Sequence, residues 1–378
     1  MRVAIDALAL RRPFTGVQRY ITSLLSAFDS LIRSGDQSIS ADDSFVVLAG
    51  RKAELPALSD RFTILRTIFR AENRTLRILY QQFLMHGRLF KAGAEVLHSP
   101  AYVSPKLTYL PTVLTIHDMF AFDFPALCKK VSVMHFRKFV PHSVKNARRI
   151  IVPSTYTRER VIAQFPEAGA KIVVVPFGVD EMFFSAAVRE WPLDERPLPE
   201  RFVLYLGGLE PKKNLETLIK AFFATTLSKK LDIDLVIAGP DTGSAKHLKY
   251  MAEGLGFGNR IHFLGFVEDA LLPALYRKAA AFAFPSIAEG FGFPILEAMA
   301  SGVPVVASGI PALREIGGKA VKFFTPGNIA NLREALEEVL LDSKCAAYFA
   351  EQGKHRAENF TWTKTAQVTM RTYREARL

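Results

Sequence analysis

The chain has little of what secreted or metal-centred proteins depend on. Among its 378 residues there are two cysteines, Cys128 and Cys345. They lie far apart, with neither a metal-ligand spacing nor a disulfide framework, which favours a reducing compartment. No apolar run approaches the roughly 20 residues that a membrane-spanning helix needs. In the opening "MRVAIDALALRR" the basic residues mostly follow a short apolar run, and no small-residue cleavage site is evident. The stretch reads as a first strand and not as a signal peptide. There is no P-loop, and "LGGLEP" lacks the spacing of the dinucleotide glycine fingerprint. The acidic "DID" at 232–234 directly precedes a strand-like run and reads as loop chemistry. Repeats and low-complexity tracts are absent too.

What is present is an ordinary globular balance, 49% hydrophobic and 23% charged, spread over a length that suggests two domains. The first half contains short β-branched runs such as "RVAIDAL", "SFVVLAG", "TVLTIHD" and "RRIIVPS". Helical patterns such as "VQRYITSLLSAF" and "RTLRILYQQFLMHGRLF" separate most of them. The second half repeats the plan with "FVLYLGG", "DLVIAGP", "RIHFLGFV", "AAFAFPS" and "VPVVAS". Near-continuous apolar strands alternating with helices predict parallel sheets covered on both faces. The expectation is therefore α/β, with two doubly wound domains facing each other across a cleft. The join falls in the proline- and charge-rich "PFGVDEMFFSAAVREWPLDERPLPERF". The final "FTWTKTAQVTMRTYREARL" reads as a helix.

The net charge of +12 is unevenly placed. Residues 1–176 carry 25 Lys and Arg against 13 Asp and Glu, whereas residues 177–378 carry 24 of each. One half is thus expected to meet something anionic.

The most informative stretch is "PSIAEGFGFPILEAMASGVPVVAS", residues 285–308. It follows a strand with a glycine loop, then places Pro294 where a helix begins and stops that helix at Gly302. Gly290 and Gly292 allow close approach of the backbone to a ligand, and exposed amides at a helix start favour an anion such as a diphosphate. From the first turn or just past it, Glu297 could reach a ribose; Glu289 would sit nearer the far end of the ligand. The plainer reading has Glu297 only complementing the helix dipole, worth under about 1 kcal/mol. In a second loop, "LEPKKNLETLIKAF", Lys212 and Lys213 precede another helix start. They could neutralise a leaving diphosphate or be a solvated pair.

These motifs together resemble the retaining nucleotide-sugar glycosyltransferases of the GT-B fold, and in particular family 4 with its bacterial mannosyl- and glucosyltransferases. The resemblance rests on E-G-F-G-F-P-x-x-E with "SGVPVVAS" after it. "IDALALRRPFTGVQRY", "TIHD", "VPFGVD", "LGGLEPKKNLETLIKAF" and "IHFLGFVEDALLPALY" appear in family order. It implies an acceptor-binding Rossmann-like domain over 1–178, a donor-binding one over 179–358, and a helix over 359–378 packing back on the first domain. By the same resemblance Glu297 binds the donor ribose and Glu289 the donor sugar. Lys212 and Lys213 hold the diphosphate, Phe266 and Val267 line the base pocket, and Gly16 leaves room for the donor phosphates. The run Gly290, Phe291, Gly292, Phe293, Pro294, Ile295 and Leu296 completes the donor-binding stretch. His117 is implied to lie beside the transferred sugar, although a histidine satisfied at a strand end is the plainer alternative. Many relatives carry an arginine after the glycine of "LGG", where this chain has Gly208. The phosphate role is therefore assigned to the lysines of "PKKN".

The resulting expectation is an enzyme that needs no metal or cofactor and moves a hexose, mannose from GDP-mannose by best match, with retention. Domain closure should assemble its site. The acceptor would be a saccharide or lipid-linked saccharide of a surface polysaccharide. The basic first half, with its mixed cationic and apolar segments "RILYQQFLMHGRLFK" and "KKVSVMHFRKFV", would rest peripherally on the inner face of the cytoplasmic membrane. UDP-sugars are the alternative donors. A nucleic-acid-binding α/β protein without catalysis would account for the charge partition but not for the paired glutamates, so no nucleic acid is expected. A silent subunit of the same fold would lack the glutamates or His117; a sugar-nucleotide epimerase is the nearest rival enzyme.

Overall fold

The computed structural model describes residues 1–11, 16–224 and 232–378. Two compact units appear: Met1–Gly178 together with Thr361–Leu378, and Val179–Phe360.

The first unit is built on β1 (Arg2–Ala7), β2 (Ser44–Ala49), β3 (Phe62–Arg66), β4 (Val96–Ser99), β5 (Thr112–Thr115), β6 (Arg149–Val152) and β7 (Ile172–Val174). They form one sheet in the order β3-β2-β1-β4-β5-β6-β7, and every pairing is parallel. The cause is visible in the sequence. Strands such as "RVAIDA" and "SFVVLA" are buried on both faces, as a parallel sheet covered by helices requires. The helix Gly16–Ser34 turns Tyr20, Leu24, Phe28 and Leu31 toward this core, and Phe28 stacks on Phe45 of β2 at 4.9 Å. The segment 74–91 is helix Arg74–Leu79, a π turn Tyr80–Leu84, then helix Met85–Lys91. A continuous amphipathic pattern therefore hides an interruption.

The closing helix Trp362–Arg377 belongs to this unit. Thr361 caps it by accepting from the amide of Lys364 at 3.2 Å. It crosses close to the chain at Gly178, where a Cβ would stand 2.2 Å from the Trp362 nitrogen, so only glycine fits.

The second unit contains β8 (Phe202–Leu206), β9 (Asp234–Ala238), β10 (Ile261–Gly265), β11 (Ala281–Phe284), β12 (Val305–Ser308) and β13 (Lys322–Phe324). Their order is β10-β9-β8-β11-β12-β13, again all parallel. In both units the first strand lies centrally and successive strands build outward from it in two directions. The order reverses between β1 and β4 in one sheet and between β8 and β11 in the other. Such reversal points open crevices beyond the carboxyl ends of the strands, where ligands of this architecture bind.

The proline-rich join is more ordered than its composition suggests. Trp191 is buried and donates its indole N–H to the Arg196 carbonyl at 2.7 Å. Arg196 in turn donates to the carbonyls of Leu264 and Phe266, each at 3.1 Å. The pair Asp232 and Asp234 is engaged by Arg260, at 2.6 Å to each. Among the described residues no cluster of three or more His, Cys, Asp or Glu could hold a metal ion.

Candidate active site

In the second unit, the loops following β8 and β11 meet at the reversal point. The amide of Ile287 donates to the Lys212 carbonyl at 2.9 Å, tying one loop to the other. The lysines occupy a short 3-10 turn, Pro211–Lys213. Asn214 then takes a left-handed conformation, φ 54°, before helix Leu215–Ala224 starts. That strained residue turns the chain sharply, and its side chain accepts from the Thr217 hydroxyl at 2.8 Å.

Lys213 reaches across to Glu289, Nζ to Oε1 at 2.5 Å, with both side chains almost wholly buried. The same ammonium sits 5.0 Å from the Phe284 ring centroid, a cation–π contact that fixes it from below. Burial alone would raise the Glu289 carboxyl. The opposing pull of Lys213, and then of Lys212, is stronger in sum and holds it below the usual carboxylate value. Glu289 is thus an anion held in place, with acceptor capacity beyond the lysine contact. Lys212 is 3.8 Å from Glu210.

The glycine loop leads into helix Phe293–Ala300. Gly292 caps this helix with φ 122°, and a Cβ there would stand 2.6 Å from Leu313 Cδ2. Both the dihedral and the space require glycine. Pro294 occupies the second position of the helix, where a missing N–H costs nothing. Phe291, Ile295 and Leu296 are buried; Phe291 and Phe293 meet edge to face at 5.3 Å. These apolar side chains anchor the loop.

Glu297 lies just beyond the first turn and is only 2% exposed. Its Oε2 accepts from the Tyr276 hydroxyl at 3.0 Å. A carboxylate buried to this degree needs such donors, and dipole complementation at a solvent-exposed helix end does not describe it. Tyr276 closes the quoted "IHFLGFVEDALLPALY", yet nothing in that stretch marks it as a partner of a buried carboxylate. Its signal is weak, because a tyrosine at an apolar helix position reads as core. Phe266 is half exposed and Val267 buried, immediately after β10, with the Arg196 contacts bracing the loop. The structure thus gathers Lys212, Lys213, Glu289 and the run to Glu297 at the carboxyl end of one sheet; Phe266 and Val267 stand along the same edge.

Gly16 and His117 belong to the first unit. Gly16 begins its helix; the rest of the glycine loop, residues 12–15, lies outside the described residues. His117 follows β5 and is 9% exposed. Its Nε2–H donates to the Pro100 carbonyl at 2.7 Å, which leaves Nδ1 as the acceptor. Burial lowers its pKa, so the ring is neutral. Tyr20, Tyr102 and Phe177 surround it at centroid distances of 5.1, 5.3 and 5.5 Å.

Two Rossmann-like parallel sheets, each with its own reversal point, are the architecture of the GT-B glycosyltransferases. The chain belongs to glycosyltransferase family 4. The Glycosyltransferase Family 4 model matches residues 14–183, and the model for Glycosyl transferases group 1 matches residues 193–356. Among curated relatives, the Escherichia coli O-antigen chain mannosyltransferase B is 28% identical over 291 residues, 74% of each chain. The serotype-specific mannosyltransferase WbdA of the same species is 28% identical over 77% of this chain, which spans 39% of that longer enzyme. Among solved structures, Anabaena HepE in complex with UDP and glucose superposes with a TM-score of 0.71 at 18% identity, covering 98% of this chain and 99% of that one. As a member of this family, the protein uses a nucleotide-sugar donor and a saccharide acceptor.

Proposed function

We propose that the enzyme transfers mannose from GDP-mannose, with retention, to a saccharide or lipid-linked saccharide during assembly of a cell-surface polysaccharide. The reading places it in the cytoplasm, peripheral on the inner face of the membrane. The names of the curated relatives support the sugar and the pathway. The observation that carries the reading is the joined pair of loops, in which Lys213, beside Lys212 in the first loop, is locked to Glu289 in the second.

In this reading the donor lies along the carboxyl edge of the second sheet. Glu297, oriented by Tyr276, accepts from the ribose hydroxyls, and Phe266 and Val267 line the base pocket. The amides of the Gly290–Leu296 run and the ammonium groups of Lys212 and Lys213 take the diphosphate, and Gly16 leaves room for it. Glu289 is already an anion and accepts from hydroxyls of the transferred sugar. Nδ1 of His117, the ring's acceptor, takes another sugar hydroxyl. Glu289 is bound to an ammonium, so the reading assigns it no nucleophilic role. The acceptor proton goes to a phosphate oxygen of the donor as the nucleoside diphosphate departs from the same face of the sugar. Stabilising charge on that leaving group is then the principal catalytic contribution.

The test is Glu289→Gln and Glu297→Gln, assayed with labelled GDP-mannose and a panel of UDP-sugars. Each variant is expected to lose at least 100-fold in kcat/KM, the scale of a lost electrostatic contact to a transition state. Full transfer by both would refute the assignment. HepE, solved with UDP and glucose, favours a UDP-sugar as the second reading, and the donor panel separates the two. Product analysis separates transfer from epimerisation.

A further inference from the structure

The first sheet has a crevice of its own at the reversal between β1 and β4. A cavity of about 290 Å³ opens there, with walls that include Asp6, Arg11, Arg74, Arg77, Gln81 and His135. This volume is near the lower end of ordinary ligand sites, ~300 Å³, enough for one sugar unit and a small substituent. Its chemistry is lopsided. Arg77 is partly buried and feels the repulsion of both Arg11 and Arg74. Among the described residues no carboxylate forms an ion pair with any of the three. Asp6 and Glu72 act on Arg77 only through space. Asp6 accepts from the Leu8 amide at 3.1 Å and from Gln81 Nε2 at 2.6 Å, and burial raises its pKa, weakening it further as a counter-ion.

Arg11 is exposed and Arg74 half-buried, so the charge most in need of a counter-ion is that of partly desolvated Arg77. Gathering three guanidinium groups around it is unfavourable unless a ligand supplies negative charge. His135 registers the same field. Its pKa is lowered to about 4 by burial first, then by Arg74 and Arg77. Tyr102 also lines the cavity, holds a left-handed φ of 66° and lays its ring against His117. One side chain, Tyr102, thus separates the cavity from His117, which the proposed reading sets beside the transferred sugar.

We propose that this cavity is the acceptor subsite and takes a sugar bearing a phosphate ester, with Arg11, Arg74 and Arg77 on the anion and Asp6 and Gln81 on a ring hydroxyl. The inference rests on the sugar-transfer reading but concerns residues that the donor does not touch. Guanidinium groups suit phosphate because they present paired donors to two oxygens. The ester could belong to a soluble sugar phosphate or to the sugar-proximal phosphate of a lipid-linked diphosphate; both place a sugar-bound phosphoryl group before the arginines.

The experiment uses the full chain, with hexose 1-phosphate, the corresponding neutral hexose, inorganic phosphate and a hexosyl diphosphate on a short isoprenoid as probes. Calorimetry should show the phosphorylated sugars binding at least tenfold more tightly than either neutral hexose or inorganic phosphate. In NMR titrations the imidazole of His135 should move to a higher pKa as bound anion offsets the arginines. Arg74→Gln and Arg77→Gln should each weaken that binding at least tenfold and raise the acceptor KM more than they lower kcat. Arg77→Lys should recover part of the loss, and the thermal shift induced by the donor nucleotide should stay at its wild-type size. Tighter binding of the isoprenoid form would assign the lipid-linked source; equal binding would assign the sugar phosphate alone. Indifference of binding to the phosphate or to both arginine variants, or a His135 resonance that does not move, would overturn the proposal. Failure of the unaltered enzyme to transfer sugar would instead remove the transfer reading, leaving the binding measurements to stand by themselves.

Discussion

At the scale of single residues, the Lys213–Glu289 pair concentrates the energetics of the candidate site. Two charges this buried are held by each other, and deleting one strands its partner. Lys213→Met should therefore cost about 3 kcal/mol at neutral pH, even though methionine fills the space over Phe284. The pH dependence should also change sign. In the native protein the Glu289 pKa lies below the ordinary carboxyl value of 4.5, so the pair's contribution is present above that value and is lost as pH falls through the folded pKa. Without Lys213, burial dominates and the folded pKa rises above 4.5, so the variant regains stability on acidification toward that value. Urea unfolding of both proteins at neutral and mildly acidic pH measures this. An equal cost at both pH values would mean that the pair is not coupled as described. Both glutamates were legible in the sequence because a glycine loop and a helix-starting proline flank them. Tyr276 and the Asn214 turn were not, since a buried hydroxyl and a left-handed φ are set by three-dimensional neighbours.

At the scale of elements, the closing helix shows what pattern reading reaches and where it stops. Its period marked a helix, but nothing in it marked the buried chain of hydrogen bonds that it completes. Tyr373 Oη lies 2.7 Å from His98 Nδ1, His98 Nε2 2.8 Å from Thr115 Oγ1, and Thr115 Oγ1 3.2 Å from Tyr20 Oη. The four residues come from four separate elements, so no local window contains the signal. The segment 74–91 erred in the opposite direction, because a π turn leaves the amphipathic composition intact while shifting which residues face inward. Tyr373→Phe removes one end of the chain and leaves a buried ring nitrogen unpaired, at a cost of about 1–3 kcal/mol. Burial lowers the His98 pKa from 6.5 to about 3. The unfolded chain therefore binds the additional proton between these values, and the unit loses stability as pH falls through that window. Hydrogen exchange in helices Gly16–Ser34 and Trp362–Arg377 should show both effects: faster opening in the variant, and faster opening of each protein on mild acidification. Unchanged exchange in the variant would deny the hydrogen-bond chain its structural role.

At the scale of the whole molecule, the parallel architecture was readable because strands buried on both faces leave continuous apolar runs. The charge partition was readable by counting. What counting could not supply is the arrangement of the excess. Arg11 is far in sequence from Arg74 and Arg77, and only the β1–β4 reversal brings them to one cavity. On the two segments that supply part of its wall, 74–91 and 129–138, exposed apolar residues Phe83, Leu84, Phe90, Val131 and Met134 are interspersed with exposed Lys91, Lys129, Lys130, Arg137 and Lys138. That mixture suits an anionic bilayer, where lysines meet headgroups and apolar side chains enter the interface. No described helix is long and apolar enough to cross a membrane. Attachment through these residues would be sensitive to salt. Vesicles containing anionic lipid should bind the protein more tightly than neutral ones, and the difference should shrink as salt rises. Lys129→Ser with Lys130→Ser should weaken binding roughly thirtyfold, from about 1 kcal/mol per cation at the surface. Phe83→Ser with Phe90→Ser should weaken it by an amount that salt does not change, because burial of apolar surface is not screened. Equal binding to neutral and anionic vesicles would leave the cationic excess to the acceptor cavity alone.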